Sequence, residues 1–590
     1  MKTDFIPINM DEAKRNGWKY IDVVIVTCDA YIDHPWYEAV RSARVLISSG
    51  FKVGIVSDPT KEDLAKFGKP RLFFLVITGK EDSMVMNYSA YKKYRSSDPY
   101  QSGGKRSNRP DRAAITLTSN IRSHFKDAVV VLGGNEASTR RVTHYDYWSN
   151  KLRKPILFDS KADLLIFDKI ELNCLRLAKH MRGSLGIETL YNQPGIAYIS
   201  KEEPLNMVKL PSHEDCEKDK VCYVDMYRIF LSELNFSSKG IYQKVMNRYM
   251  VINRLHKPYT EDQMIDIFSQ SYKNRPHFIY KEPIPIFEKL LATGIVTQIG
   301  DPVNLNFNSF LTEGKDINKR PFGGIIKDSH RIKKLRSFKA TFKNIGYGKM
   351  EQMAIELKNR IKCEDCKRYT CFETAGKSMC SNIVFNEQKY IDLLKTISES
   401  KSVRQILDST TIDYRVMDKC DDIIKDYIKL RTGMKALINS NSFSDKVRRA
   451  NDLEESKQLK GFITKYIKKS GEYGKNRSLE VVLNSSLPGE TFETVKETLK
   501  YVMDNELIIG EVRPFIPLPL TVQSVVYYSE KNIFSFEDVD VIKDTEEKKL
   551  LEKILNFQKK GKRKDLKYHL KRKKLNNILN MVEKYEASEL

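Results

Sequence analysis

The feature that most constrains this chain is an alternation within its first 200 residues. Short apolar runs rich in β-branched residues recur there, separated by segments with helical spacing. Ile21 to Thr27 (IDVVIVT) has the pattern of a parallel strand buried on both faces. A helical stretch from Trp36 stops at Gly50, a residue type that commonly ends helices. Phe51 to Val56 and Arg71 to Thr78 (RLFFLVIT) read as the next strands. Ala128 to Leu132, Ile156 to Phe158 and Leu164 to Phe167 follow. Strands alternating with helices predict a doubly wound parallel sheet, in which ligands sit at the carboxyl ends of the strands. The polar residues at those ends are Cys28, Asp29, Asp33 and His34 after the first strand, and Gly133-Gly134-Asn135-Glu136 after the fourth.

The rest of the chain divides by pattern. Residues 201–277 are charged and read as a mostly helical connector, with Pro204, Pro211 and Pro258 as breaks. Residues 278–528 carry weaker signals of a second α/β unit, a pattern that fits an open barrel. Its candidate strands are Ala292 to Thr297, Ala436 to Asn439, Glu480 to Asn484 and Ile508 to Pro514. Its helices include Lys349 to Lys362 and Thr491 to Asp504. Residues 529–590 form a basic helical tail. With 41% hydrophobic and 30% charged residues over 590 positions, the chain is no disordered polymer. No apolar run reaches the ~18 residues that span a bilayer, and Met1 to Met10 has no signal-peptide core. The expectation is a soluble cytoplasmic protein. A net charge of +24 favours a polyanionic partner.

Four of the nine cysteines, Cys363, Cys366, Cys371 and Cys380, follow the pattern C-x2-C-x4-C-x8-C. Thiolates in a C-x2-C pair can turn toward one ion, so the group suits zinc or an iron–sulfur cluster. The alternative is a set of small unligated cysteines. Asp33, His34 and His144 are candidate acid–base groups, against the plainer reading of structural hydrogen bonds. The Gly133-Gly134 pair permits close backbone approach to a ligand or simply makes a tight turn. Lys559 to Lys574 holds ten basic residues and one acid. Lys562, Arg563, Lys564, Lys571, Arg572, Lys573 and Lys574 are its candidate polyanion contacts, for RNA or the ribosome. The alternative is a solvated helix face.

Residues 28–35 (CDAYIDHP), 132–148 (LGGNEASTRRVTHYDYW) and 159–167 (DSKADLLIF) closely resemble the YgiQ-type family of radical S-adenosylmethionine proteins. The match continues through Tyr272 to His277, Ile284-Pro285, Ser486 to Gly489 and Pro517 to Tyr528. This resemblance implies a Rossmann-like N-terminal domain similar to cobalamin-binding domains, followed by a radical-SAM α/β barrel (a partial TIM barrel). It also implies three cysteines spaced C-x3-C-x2-C. These would hold three irons of a [4Fe–4S] cluster and leave the fourth to S-adenosylmethionine.

Those cysteines are missing. Between Glu288 and Glu313 the three positions fall on Gly300, Asn304 and Phe307. The family's Gly-Gly cofactor motif corresponds to Gly346-Tyr347, and its Ala-Pro-Glu-His stretch to Ile438-Asn439-Ser440-Asn441. The family's auxiliary cysteine group survives in part as Cys366 and Cys371. There is no Asp-x-His-x-x-Gly cobalamin signature in the N-terminal domain. The resemblance therefore implies a degenerate member, without S-adenosylmethionine or cobalamin, that binds an active radical-SAM paralogue or RNA. The alternative is an active enzyme that builds its cluster on Cys363, Cys366 and Cys371.

Overall fold

The computed structural model describes residues 5–106, 108–235, 237–300, 318–346, 350–364, 366–399, 402–406, 411–430, 436–472 and 479–589. The chain forms two compact units. The first comprises Met1–Tyr347, Asn359–Thr370 and Leu518–Leu520, and the second Gly348–Lys358, Cys371–Pro517 and Thr521–Leu590.

The first unit is built on a nine-stranded sheet. Its strands are β1 (Val23–Thr27), β2 (Val53–Ser57), β3 (Phe73–Ile77), β4 (Val130–Gly133), β5 (Leu164–Ile166), β6 (Ile196–Ser200), β7 (Val208–Leu210), β8 (Ile241–Val245) and β9 (Arg248–Ile252). The spatial order is β7-β8-β9-β6-β5-β4-β3-β1-β2. From β2 to β5 all neighbours are parallel. This 2-1-3-4-5 order is that of a doubly wound sheet of the flavodoxin kind. Every residue of β1, β3 and β4 is buried, as their unbroken apolar runs require. Helix α1 (Glu38–Ser48) lays Ala39, Val40, Ala43 and Leu46 onto the core, and Gly50 ends it at φ +80°. Burying each Val, Ile or Leu here contributes about 1.5–3 kcal/mol.

The region expected as a helical connector is partly sheet. Strands β7, β8 and β9 extend the sheet, with β9 antiparallel to β6 and β8 antiparallel to β9. The β8–β9 turn is Met246-Asn247, with Met246 at φ +55°, and lacks the glycine of the strongest hairpin signals. Ile156–Ser160, expected to begin with a strand, is a short helix after Pro155. Three apolar residues in a row do not separate the two states. Lys349 to Lys362 is not one helix either. Met350–Ala354 is a 3-10 turn, and Ile355–Leu357 pairs antiparallel with Ile383–Phe385.

The second unit contains a parallel three-stranded sheet of β10 (Ala436–Asn441), β11 (Leu479–Ser485) and β12 (Ile508–Pro514). Helix α2 (Ser456–Glu472) joins β10 to β11, and α3 (Phe492–Asp504) joins β11 to β12. Thr491 caps α3 reciprocally with Thr494. In the first unit Gly294–Ile295 pairs in parallel with Asn344–Ile345. The α/β class expected from the sequence is the observed one. The described strands of the second half form separate small sheets, some parallel and some antiparallel, rather than one continuous sheet. No helix among the described residues is long and apolar enough to cross a membrane.

Candidate functional site

The order of the parallel strands reverses between β1 and β3, which is where such sheets hold ligands. Here the chain's own side chains fill that position. Cys28 N–H donates to the Thr78 carbonyl at 3.0 Å. The Arg109 guanidinium lies over the strand ends, fully buried. It donates to Asp29 at 2.9 Å, to Asp98 at 3.0 Å and to the Thr78 carbonyl at 3.2 Å. Lys80 N–H donates to the second Asp29 oxygen at 2.8 Å, and Gln101 Nε2 to the Cys28 carbonyl at 2.6 Å. Gly79, at φ +141°, makes room: a Cβ there would lie 2.5 Å from Asp29 Oδ1. Burial pushes the Asp29 carboxyl up against the pull of Arg109. At 2.9 Å we read the pair as ionised. Nothing in the sequence singled out Arg109, which lies in a polar loop.

Asp33 and His34 are structural in the same sense. Ile32 and Asp33 pair antiparallel with Pro276 and Arg275, which joins two of the motifs quoted above. The Asp33 side chain is fully buried in an ion pair with Arg44. Its backbone carbonyl accepts from Asn274 N–H at 2.7 Å. His34 Nδ1 accepts from Trp36 N–H at 3.1 Å, and the ring also bonds the Gly294 backbone. Burial, with Arg331 and Arg320 nearby, lowers His34 to about 3, so the ring is neutral. His144 lies elsewhere, in the hairpin of His144–Asp146 and Lys151–Arg153. Its Nδ1 bonds the Val142 carbonyl at 3.1 Å. Burial and Arg140 lower it also to about 3. The partners of His144 do not overlap those of Asp33 and His34. Both imidazoles are buried and uncharged, away from the usual working range of a general base.

The Gly-Gly-Asn-Glu turn after β4 supplies an anion of its own. Gly134 adopts φ +78°, and a Cβ there would lie 2.8 Å from Ile77 Cγ2. Glu136 accepts from Ser83 N–H at 3.0 Å and from Ala114 N–H at 2.9 Å, at the starts of the helices Ser83–Asn87 and Ala113–His124. A phosphate at these helix starts would meet that carboxylate.

Gly300 closes the two-residue strand Gln298–Ile299, buried, at φ +101°. It offers no donor atom, and its conformation is one that side-chain-bearing residues rarely adopt. Asn304, Phe307 and Tyr347 lie outside the described residues. Gly346 N–H donates to the Ile295 carbonyl at 2.8 Å, continuing the parallel ladder. The residue present at Gly300 does not fit a thiolate-held cluster.

All nine cysteines lack disulfides. In the first unit Cys366 N–H turns back to the Cys363 carbonyl at 3.3 Å, and in the second Cys380 N–H meets the Cys371 carbonyl at 2.8 Å. Among the described residues no group of three or more His, Cys, Asp or Glu is gathered closely enough to hold a metal ion.

At the strand ends of the second sheet, Arg448 is almost completely buried. It donates to the Ser440 and Ser442 carbonyls at 3.0 and 3.1 Å, to Tyr414 at 2.9 Å and to the Glu454 carboxylate at 2.7 Å. This network occupies the stretch that the resemblance aligns with Ala-Pro-Glu-His. In the tail, Arg563 is not a surface cation. It is buried, donating to the Phe557 carbonyl at 2.8 Å and to Glu589 at 2.7 Å. Lys562, Lys564, Lys571, Arg572, Lys573 and Lys574 are exposed.

Comparison with known proteins places this architecture. A family model described as Radical SAM N-terminal matches residues 5–292. A UPF0313 protein of Clostridium botulinum is 31% identical over 565 residues, covering 94% of this chain and 88% of its own. A UPF0313 protein of Fusobacterium nucleatum is 30% identical over 575 residues, covering 95% of this chain and 100% of its own. The chain belongs to the UPF0313 family. Among solved structures, TsrM of Kitasatospora setae is a radical S-adenosylmethionine methyltransferase solved with cobalamin and a [4Fe–4S] cluster. It aligns over 85% of this chain and 77% of its own, at 11% identity and a TM-score of 0.46.

Proposed function

We propose that this chain is a non-catalytic member of its radical-SAM-related family. It keeps the α/β fold, lacks the site for cluster and cofactor, and works by binding, as a regulatory or substrate-presenting partner of an active paralogue. The observation that carries this reading is Gly300, a buried glycine at φ +101° where the resemblance expects the first cluster thiolate. Asn304 and Phe307 at the other two expected positions support it. The position at β1 and β3 closed by Arg109 supports the absence of a cobalamin. The neutral His34 and His144 serve as packing and hydrogen-bonding groups.

Anaerobic reconstitution with iron and sulfide, followed by metal analysis and electron paramagnetic resonance, tests this reading. The expected product gives no reduced-cluster signal that changes on adding S-adenosylmethionine. A [4Fe–4S] signal perturbed by that cofactor would return the chain to the active class.

A further inference from the structure

The tail ends in three packed helices, α4 (Thr545–Leu555), α5 (Arg563–Arg572) and α6 (Asn576–Ser588). Helix α5 buries Arg563, Leu566 and Leu570. Its outward face carries Lys564, Tyr568, Lys571 and Arg572, spaced i, i+4, i+7 and i+8 and hence on one side. Lys562 and Lys574, both exposed, flank the helix in sequence. Tyr568 is 63% exposed, an unusual position for a large aromatic ring.

The acids around this face are already engaged. Asp565 pairs with Lys553 at 2.9 Å and His569 at 3.3 Å, and Glu586 with Lys567 at 2.7 Å. Glu589 pairs with Arg563 at 2.7 Å, and Glu547 lies 3.8 Å from Lys573. None of the described acids pairs with Lys562, Lys564, Lys571, Arg572 or Lys574. The result is a cationic stripe with one flat π surface in its middle. Along the helix Lys564 and Arg572 are about 12 Å apart at ~1.5 Å per residue. That matches roughly three nucleotides of a stacked strand at ~3.4 Å each.

We propose that this face is a docking surface for single-stranded RNA, with phosphates on the lysines and Arg572 and an unpaired base stacked on Tyr568. The stacking ring favours unpaired bases over a duplex. A membrane surface fits less well, because Leu566 and Leu570 of α5 are buried within the protein and only Tyr568 is left to enter lipid. The inference goes beyond the partner role proposed above and does not rest on loss of the cluster. Its test does not touch iron, so the two fail separately.

The test is fluorescence anisotropy of a labelled oligouridylate RNA with the full chain over a range of salt. One variant combines Lys564→Gln, Lys571→Gln and Arg572→Gln; the second is Tyr568→Ala. All changes are on the surface, and circular dichroism checks their fold. The expected result is binding that weakens with salt. The triple variant should flatten the log–log salt slope by about 2, at ~0.7 per phosphate contact. Tyr568→Ala should weaken binding about tenfold and leave the slope unchanged. Three outcomes overturn the proposal: no binding at low salt, a slope unmoved by the triple variant, or competition by phosphatidylserine vesicles together with indifference to Tyr568→Ala.

Discussion

Arg109 holds Asp29 and Asp98 at the end of β1, with its side chain fully out of solvent. Removing it would strand two buried carboxylates, which costs more than the bond count suggests because neither can regain water. Arg109→Ala is expected to lower stability by about 3–5 kcal/mol, read from urea denaturation. Titrating residues give a second check. His34 and His144 sit at about 3 in the folded chain against an ordinary 6.5, so they bind protons more readily when unfolded. Their contribution is intact above pH 6.5 and is lost as pH falls toward 3. Glu490 has the opposite sign, because burial raises it to about 8 from 4.5. Its contribution is complete below pH 4.5 and fades as pH rises toward 8. Denaturation midpoints measured against pH should fall on both the acid and the alkaline side. Glu490→Gln should flatten the alkaline arm, and an unchanged alkaline arm would contradict this assignment.

Among the elements, the helix starts at Ser83 and Ala113 depend on one carboxylate from a different segment. Glu136→Ala removes the acceptor of two buried N–H groups and is expected to cost about 3 kcal/mol, measured by thermal or chemical unfolding. Gly300→Cys places a side chain at φ +101°, so it should destabilise by about 1–2 kcal/mol instead of beginning to restore a cluster. The parallel strands were legible because β1, β3 and β4 are apolar on both faces, a pattern that survives any tertiary context. Ile156–Ser160 was misread because three apolar residues carry no period. Strands β8 and β9 were missed because Lys244 and Arg248 interrupt the apolar pattern and the turn, Met246-Asn247, has an asparagine but no glycine. The role of Arg109 was not legible at all, since Asp29 lies 80 residues away in sequence and Asp98 11 residues away with no regular spacing, and only the folded sheet brings the three together.

Taken as a whole molecule, the chain keeps a nine-stranded sheet and a parallel three-stranded sheet in two compact units. Asp33 lies in the short strand Ile32–Asp33 beyond β1, with His34 next to it, and their chemistry depends on burial and on Arg44, neither of which a linear pattern carries. The fold of a radical-SAM relative can persist without its reaction, because strand burial and cluster ligation draw on different residues. The most direct test of that separation is the release of 5′-deoxyadenosine. Anaerobically reconstituted protein, given S-adenosylmethionine and dithionite, is expected to release none above the level of a protein-free control. Sustained, protein-dependent release would contradict the account, because it would require an open iron that Gly300, Asn304 and Phe307 have no sulfur to hold.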